Sequence, residues 1–432
     1  MVGTGIFTSL GFQVGDLTTG FSIMALWLLG GVCALCGALS YAELGAALPR
    51  SGGEYHLLGA IYHPALGFLA GWVSATVGFP APTALAAIAF GQYFVKIVPD
   101  MPALVLWPHC ALPPETYLAL TVILIATLFL LRDVRLGAAF QDASTLLKVG
   151  LVLVVIGAGF FLAKTQPVSF LPAPGDGKLI LSGSFAVSLV YVMYSYSGWN
   201  ASIYLAGEVR DPARVIPRSV ILGTVIVMFL YLAVNAVFLI STPPGEMAGK
   251  VEVGLIAGNY LFGASGAKIM AGLICAGLIS AISAMIWIGA RVTMVMGEDM
   301  RLLRPLARRT KHGVPAIGTL VQFGIAVVLI LSSTFSKVAT YVLFSLQICS
   351  FLVVLGVIVL RFTQPNLSRP YRTWGYPVTP IVFLIISAWM LIHIVRHNLT
   401  ESLLGLGGMA LGLILYAISP SRPPALASLA SE

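Results

Sequence analysis

The sequence predicts an all-α integral membrane protein, and two observations carry that prediction. Hydrophobic residues make up 58% of the 432 residues and charged residues only 9%, with a mean hydropathy of +0.97. A soluble domain typically carries about 25% charged residues. The apolar runs are also long and unbroken, near the roughly 20 residues of a membrane-spanning helix. They do not resemble the alternating segments of about ten residues in an outer-membrane barrel.

Apolar runs between charged or Pro/Gly-rich breaks define the predicted spans, of which the first is short. With the N-terminus inside the cell, most of the 24 lysine and arginine residues fall in the inner loops, as the positive-inside rule requires. We therefore expect a multi-pass protein of the cell (inner or plasma) membrane with both termini cytoplasmic. The predicted spans are 1–15, 21–48, 65–95, 117–131, 144–163, 182–207, 218–240, 265–296, 314–332, 335–361, 377–395 and 402–418.

Several function classes fit this sequence poorly. The net charge of +8 comes from basic residues in loops between spans, which does not indicate a nucleic-acid partner. The five cysteines show no metal-ligand spacing with histidine, so neither a metal nor another cofactor is predicted. An enzyme is not expected either, because no nucleophile–base pair or phosphate-binding loop falls at mid-depth in a span.

Polar, glycine-bearing segments interrupt two of the predicted spans. Gly3-Thr4-Gly5 lies in the first span and Ser195 to Asn200 in the sixth. Because they are five spans apart, the two spans cross the membrane in opposite directions. Matched interruptions of this kind indicate an inverted repeat with discontinuous helices and a ligand site between them. The alternative is a simple glycine kink relieved by neighbouring helices and water.

Four motifs resemble the amino acid–polyamine–organocation transporters. They are "VGTGIF" (Val2–Phe7), "YAELGAALPRSGGEYHLLGAIYHPALGFLAGW" (Tyr41–Trp72), "YSYSGWN" with "AGEVRDPARVIPRS" (Tyr194–Ser219), and "RPYRTWGYPVTP" (Arg369–Pro380). The third is most similar to the L-type amino acid transporter branch, and the motifs run in order across the chain. The resemblance implies a LeuT-type fold, a five-plus-five inverted repeat with discontinuous helices 1 and 6, two additional C-terminal helices, and secondary transport by alternating access.

The same resemblance divides the chain into segments. The expected order is a first repeat, an external loop, a second repeat, a cytoplasmic loop, two further spans and a cytoplasmic tail. These segments are predicted at 1–163, 164–181, 182–361, 362–376, 377–418 and 419–432.

Backbone chemistry predicts where an amino acid substrate would place its carboxylate. The N-terminal end of a half-helix offers free N–H groups and the positive end of the helix dipole. We therefore expect the carboxylate at the amides of Thr4, Gly5 and Ile6, with the Thr4 hydroxyl assisting. Glycine at positions 3 (Gly3) and 5 removes the Cβ that would keep a ligand away from the backbone.

The substrate ammonium is expected against the open carbonyl groups of span six, around Tyr194, Ser195 and Ser197, with Gly198 at the unwound point. By resemblance, Tyr194 is the aromatic residue that closes over the substrate from outside. Also by resemblance, the Asn200 amide lies beside the substrate.

Further residues are candidates for the cavity wall, each with a packing alternative. Small hydroxylated residues often mediate helix contacts in membranes, and a tryptophan in a crowded helix often only packs. The candidates are Ser74, Thr76 and Gly78 in span three, Trp199 in span six, and Ser280 and Ser283 in span eight.

The distribution of acidic residues favours a neutral amino acid as substrate. No Asp or Glu falls at mid-depth in spans one, three, six, eight or ten; Glu43 lies near the inner end of span two and Glu208 beyond the unwound region. A carrier of cationic amino acids or polyamines stays an alternative, because aromatic faces also hold cations. Arg50, Glu54 and the 208–218 loop are expected either to form an inner gate of ion pairs or to anchor the topology.

Lys148 lies one or two turns inside span five, where a lysine is costly unless it is paired. By resemblance, a lysine here occupies the region where sodium-driven relatives hold an ion, which implies sodium independence. The alternative is a lysine that snorkels to the inner surface. Both proton symport and amino acid exchange remain open as coupling modes, and the sequence indicates nothing about an accessory subunit.

Members of the family usually carry a tail and a first half-helix before the glycine motif. Here Met1 stands two residues before Gly3. The resemblance therefore predicts either a start assigned too late or a truncated protein, and a transport-inactive family member is a further interpretation.

Overall fold

The computed structural model describes residues 2–107, 110–132, 134–162, 166–311, 313–332 and 335–419. Most of these residues are helical, and the predicted tail lies outside them beyond residue 419. The helices are α1 (Gly5–Thr8), α2 (Gly20–Ala47), α3 (Glu54–Ile61), α4 (Pro64–Val73), α5 (Pro80–Ile97), α6 (Pro114–Leu130), α7 (Val134–Leu162), α8 (Asp176–Ile180), α9 (Gly183–Tyr196), α10 (Ala201–Tyr204), α11 (Pro212–Ser241), α12 (Pro244–Met247), α13 (Val253–Asp299), α14 (Ala316–Ser332), α15 (Phe335–Thr363), α16 (Val378–His397) and α17 (Leu399–Ile418).

The predicted all-α membrane class is confirmed. Eight helical stretches among the described residues are long and apolar enough to cross a bilayer, and α6 and α14 are shorter apolar helices. The exception to the helical pattern is a small antiparallel hairpin of β1 (Leu104–Trp107) and β2 (Cys110–Leu112), with Leu104 opposite Leu112. The five-plus-five repeat and its segment bounds stay predictions.

The third predicted span is not one regular helix. Helix α4 ends at Val73, residues Ser74–Gly78 form a π-helical turn, and α5 begins at Pro80. A proline lacks the N–H that a continuing helix would use, so the regular ladder of hydrogen bonds cannot run through this point. Wide turns of this kind are frequent at functional sites.

The eighth predicted span begins at a sharp bend. Helix α13 contains one residue with non-helical backbone angles, Gly263, at φ 71° and ψ 179°. Residues with a Cβ rarely adopt a positive φ, so glycine permits the bend. The predicted start at residue 265 lies just after it, and the part of α13 before the bend is an additional helical arm.

Small residues let α2 pack closely against the helices around it. A Cβ on Gly30 would lie 2.4 Å from Val192 Cγ1 of α9, and a Cβ on Gly37 would lie 2.8 Å from the Phe383 ring of α16. Close approach of helices through small residues is a common source of stability in membranes. Helix α2 therefore fixes the position of α9, which carries part of the candidate site.

A buried carboxylate joins α2 to the segment between α15 and α16. The Glu43 side chain is only 2% exposed and accepts hydrogen bonds from Arg361 Nη2 at 2.8 Å and from the Thr373 amide at 2.6 Å. Arg369 Nε lies 3.2 Å from its other oxygen. Removing one partner of a buried ion pair costs about 3–5 kcal/mol, so this cluster ties the predicted 362–376 loop to the bundle.

The packing of α5 on α6 gives a stability prediction. A Cβ on Gly91 would lie 2.1 Å from the Glu115 carbonyl oxygen, whereas a Cβ on Gly223 of α11 meets no atom within 4 Å. We expect Gly91→Ala to destabilise the protein by about 1–3 kcal/mol through overpacking, and Gly223→Ala to leave stability unchanged or raised. Thermal unfolding of both purified variants in detergent measures this. Equal melting temperatures would contradict the described contact between α5 and α6.

Candidate functional site

The sixth predicted span is interrupted at its middle. Helix α9 ends at Tyr196, the next four residues are non-helical, and α10 begins at Ala201. Gly198 has a φ of 95°, which a residue with a Cβ rarely adopts. The Ser197 hydroxyl donates to the Tyr194 carbonyl oxygen at 2.6 Å, and so serves one acceptor in the last turn of α9. The structure thus has the interruption that the polar residues predict.

The other polar segment lies at the beginning of α1. Thr4 precedes the helix and makes no side-chain cap to its backbone, so the first amides of α1 have no acceptor within the helix. The Thr4 carbonyl oxygen accepts from the Phe7 amide at 3.1 Å and from the Thr8 hydroxyl at 3.1 Å. Ile6 is fully buried. After Thr8 the chain continues as a 3-10 helix, Ser9–Phe12.

These two segments lie side by side. A Cβ on Gly5 would lie 2.4 Å from Ser195 Oγ and 2.6 Å from Ser195 Cα, so only glycine fits at this position. The hydroxyls of Ser9 and Ser195 are hydrogen-bonded at 2.9 Å. The side chains of Thr4 and Tyr194 are also hydrogen-bonded to each other. The structure therefore brings the two predicted segments into direct contact.

A cavity of about 80 Å³ lies where the segments meet, and we call it the amide cavity. It contains the start of α1 and the end of α9 in its wall, so a small polar ligand inside it would lie next to both helix ends. Its lining includes Gly3, Thr4, Gly5, Lys148, Tyr194 and Ser195.

Lys148 of α7 is buried, with 6% of its surface exposed, and it lines the amide cavity. Its alkyl chain packs on α13, because a Cβ on Gly277 would lie 3.0 Å from Lys148 Cγ. Among the described residues, no hydrogen bond or ion pair is found for its ammonium group. A lysine that snorkels to the surface would be exposed, and Lys148 is buried.

A second cavity of about 80 Å³ adjoins the first and shares Pro82, Ser197 and Met285 with it. We call it the Glu54 cavity. Most of its surface is apolar, with contributions from Ile288 and Phe383. Its polar lining consists of Glu54, Ser197, Asn200, Tyr204, Gln347 and Ser350.

Glu54 lies outside the spans in which the sequence analysis found no acidic residue, yet its side chain reaches this cavity. The side chain is 1% exposed and lines the cavity next to Asn200. Its Oε1 accepts hydrogen bonds from the Tyr41 hydroxyl at 2.5 Å, from Ser350 Oγ at 3.2 Å and from Asn200 Nδ2 at 3.3 Å. Its Oε2 is buried without a partner among the described residues. Burial raises the pKa of this carboxyl, which lies on α3 between the spans, and the three hydrogen bonds oppose the rise.

In the sequence, Glu54 lies between the second and third predicted spans, where it was expected to join an inner gate or to anchor the topology. Gly52 and Gly53 have φ of 116° and 56°, and this turn directs α3 back into the bundle. A Cβ on Gly53 would lie 2.4 Å from the Tyr204 ring, so the turn packs directly on α10.

The remaining wall candidates divide into two groups. Gly78 and Trp199 line the Glu54 cavity, and the Trp199 ring also packs edge-on against Tyr41 at 4.5 Å between ring centroids. The linings of the two cavities do not include Ser74, Thr76, Ser280 or Ser283.

The hydroxyl groups outside the cavities have partners within the protein or are buried by packing. Ser74 Oγ is 3.3 Å from the Tyr204 hydroxyl, and Thr76 donates to the Trp72 carbonyl oxygen at 2.7 Å. Ser280 donates to Gln141 Oε1 at 3.3 Å, and Ser283 is 4% exposed. These four residues therefore follow the packing alternative.

The ion pairs expected around an inner gate form with different partners. Arg50 pairs with Asp299 at 2.9 Å, and Glu208 pairs with Arg291 at 2.9 Å. The Arg291 guanidinium also lies over the Trp287 ring at 4.3 Å. Both pairs involve α13, so this helix connects to the α2–α3 turn and to the segment after α10. Glu54 takes no part in either pair.

Comparison with known proteins places the chain in a family. A model of the amino acid permease family matches residues 1–414. The chain is 26% identical over 424 residues to the b(0,+)-type amino acid transporter 1 of Rattus norvegicus, with 96% of this chain and 84% of that protein covered.

Two other relatives are also similar to this protein over most of the chain. The Asc-type amino acid transporter 1 of Mus musculus is 28% identical over 411 residues, which cover 91% of this chain and 73% of that protein. The large neutral amino acids transporter small subunit 2 of Mus musculus is 26% identical over 435 residues, covering 96% and 77%. The family and these relatives are membrane transporters and not enzymes. The chain belongs to the amino acid permease family, within the superfamily that its motifs predict.

Proposed function

We propose that the protein is a sodium-independent secondary transporter that carries amino acids across the cell membrane by alternating access. The observation that carries this proposal is the close approach of Gly5 to Ser195 beside the interrupted span, where a Cβ on Gly5 would lie 2.4 Å from Ser195 Oγ. It places the start of α1 and the end of α9 around one buried cavity. A zwitterionic ligand supplies an acceptor and a donor that the backbone groups at such helix ends need.

The substrate carboxylate is assigned to the start of α1. Free amides at Thr4, Gly5 and Ile6 and the positive end of the helix dipole favour an anionic group there. The buried ammonium of Lys148 in the same cavity adds positive charge. The Thr4 hydroxyl, which lies beside the Tyr194 hydroxyl, is the accompanying side-chain contact.

The substrate ammonium is assigned to the carbonyl groups at the end of α9. The carbonyls near Tyr194, Ser195 and Ser197 lie where the helix stops, and the end of a helix carries partial negative charge. Gly198 holds the chain in the positive-φ conformation that ends the helix. The amide cavity contains Tyr194, Ser195 and Ser197 in its wall, opposite the start of α1.

The side chain of the substrate then extends into the Glu54 cavity, which adjoins the amide cavity at Ser197 and Met285. The mainly apolar wall suits a neutral side chain, and one relative is named a transporter of large neutral amino acids. Glu54 in the same cavity favours a second candidate, a carrier of cationic amino acids.

Sodium independence rests on Lys148. Its side chain shares the amide cavity with residues of α1 and α13, among others. A fixed positive charge there disfavours a sodium ion by repulsion. Energy for accumulation then comes from a proton gradient or from exchange of one amino acid for another.

The unwound turn of span six gives one prediction. Gly198→Leu should abolish amino acid binding, because a left-handed conformation costs about 1–2 kcal/mol for a residue with a Cβ and the new side chain fills the site. Gly263→Leu is the matched control, since Gly263 also has a positive φ and a Cβ there meets no atom within 4 Å. Scintillation-proximity binding of labelled amino acids to both purified variants tests this. Wild-type affinity in Gly198→Leu would reject the site.

Lys148 gives a second prediction. Lys148→Ala should reduce amino acid uptake by at least about tenfold, because it removes a buried charge from the cavity, whereas Lys268→Ala, at an exposed position, should not. Wild-type uptake should be the same in sodium and in choline. Uptake into proteoliposomes in both salts measures each effect. Strict sodium dependence of uptake would overturn this assignment of Lys148. If Lys148→Ala takes up amino acids as fast as wild type, the lysine has a purely structural role.

A further inference from the structure

The carboxyl group of Glu54 is buried and lines the Glu54 cavity. It has no positively charged partner among the described residues. The titratable side chains that face it are Tyr41 of α2, Tyr204 of α10 and Cys349 of α15. None of these groups carries a positive charge at neutral pH.

The cationic side chain nearest along the chain is engaged elsewhere. Arg50 binds Asp299 through both carboxylate oxygens, at 2.9 Å and 3.1 Å, and Tyr55 donates to the same carboxylate at 2.9 Å. His56, on the same helix as Glu54, lies near Arg50 and Asp299. These groups therefore form a cluster of their own, and the charge of Glu54 is not balanced by them.

The two oxygens of the Glu54 carboxyl have different surroundings. Oε1 accepts three hydrogen bonds, and the bond from Tyr41, at 2.5 Å, has the length of a charge-assisted O–H···O⁻ bond. Oε2 has no partner among the described residues and no solvent exposure. The donors around Oε1 favour the ionised carboxylate, while Oε2 lacks the partner that an ionised, buried oxygen requires.

We propose that Oε2 of Glu54 is a binding site for positive charge that enters through the Glu54 cavity, supplied either by a proton or by the cationic end of a substrate side chain. This inference rests on the proposed function and extends it, because it assigns the substrate class or the coupling ion to one residue. Both sources bring positive charge to Oε2, which has no hydrogen-bond partner among the described residues.

Asn200 connects this site to the unwound segment. Its amide donates to Glu54 Oε1, and it immediately follows Gly198 and Trp199 in the interruption between α9 and α10. Hydrogen bonds to an ionised acceptor are roughly twice as strong as those between neutral groups. The charge of Glu54 therefore changes the strength of the bond from Asn200 in the unwound segment.

The test compares wild type with Glu54→Gln and with Glu246→Gln. Glu246 is an exposed carboxylate in the segment between α11 and α13 and serves as the matched control. Binding of labelled leucine and of labelled lysine is measured in detergent, and leucine uptake is measured in proteoliposomes from pH 5 to pH 8.

Two results support the proposal and identify the source of charge. If the source is a substrate side chain, wild type binds lysine, and Glu54→Gln weakens lysine binding by at least about 30-fold with leucine affinity retained. If the source is a proton, wild type does not bind lysine, its leucine uptake increases as the external pH falls, and Glu54→Gln loses this pH dependence. Glu246→Gln should match wild type in each case.

A second variant keeps the test decisive if Glu54→Gln does not fold. Ser350→Ala removes one donor to Oε1 and retains the carboxyl group, so the ionised form is destabilised and protonation occurs at higher pH. The pH of half-maximal lysine binding, or of half-maximal proton-driven uptake, should then move upward. An unchanged midpoint would overturn the proposal.

Different results would contradict the assignment to Glu54 and the proposed function. If wild type binds no amino acid at all, the proposed function itself is wrong. If leucine binds, two outcomes contradict only the assignment to Glu54. In the first, Glu54→Gln keeps the lysine affinity and the pH profile of wild type. In the second, wild type shows neither lysine binding nor pH dependence.

Discussion

Backbone groups that leave a helix inside an apolar bundle must find partners, because no water is available there to bind them. This constraint applies at the start of α1 and between α9 and α10, where four consecutive residues are non-helical. The close approach of Gly5 to Ser195 brings both regions to one cavity. Helix α2, through its small residues against Val192, holds α9 in the position that this approach requires.

The two adjoining cavities differ in charge. Lys148 and the free amides make one end of the site positive, and Glu54 provides a carboxyl group at the other. In the proposed binding mode, both charged groups of the amino acid lie in the amide cavity and its side chain extends toward Glu54. Pro82, Ser197 and Met285 line both cavities. Under the proposed function, substrate binding and the charge of Glu54 are linked through the unwound segment, because Asn200 in that segment donates to Glu54 Oε1.

The helical class and the interruption of span six follow from the sequence because long apolar runs and a glycine among polar residues are local signals. The position of Glu54 was not predictable from them, since it depends on the positive-φ turn at Gly52 and Gly53 and on its packing against Tyr204. For Ser280 the sequence leaves cavity lining and packing open, because the direction of a helical side chain depends on rotation about the helix axis. Its hydroxyl binds Gln141 instead of lining either cavity.

The most direct test of the account compares leucine with two capped analogues, leucine methyl ester and N-acetyl-leucine. If free amides at Thr4 and Gly5 bind the carboxylate and the carbonyls near Ser195 bind the ammonium, each cap leaves buried backbone groups without a partner. Equilibrium competition against labelled leucine should then show both analogues weaker by at least about tenfold, since each lost charged hydrogen bond costs about 1.5–3 kcal/mol. Affinities equal to that of leucine would contradict the account.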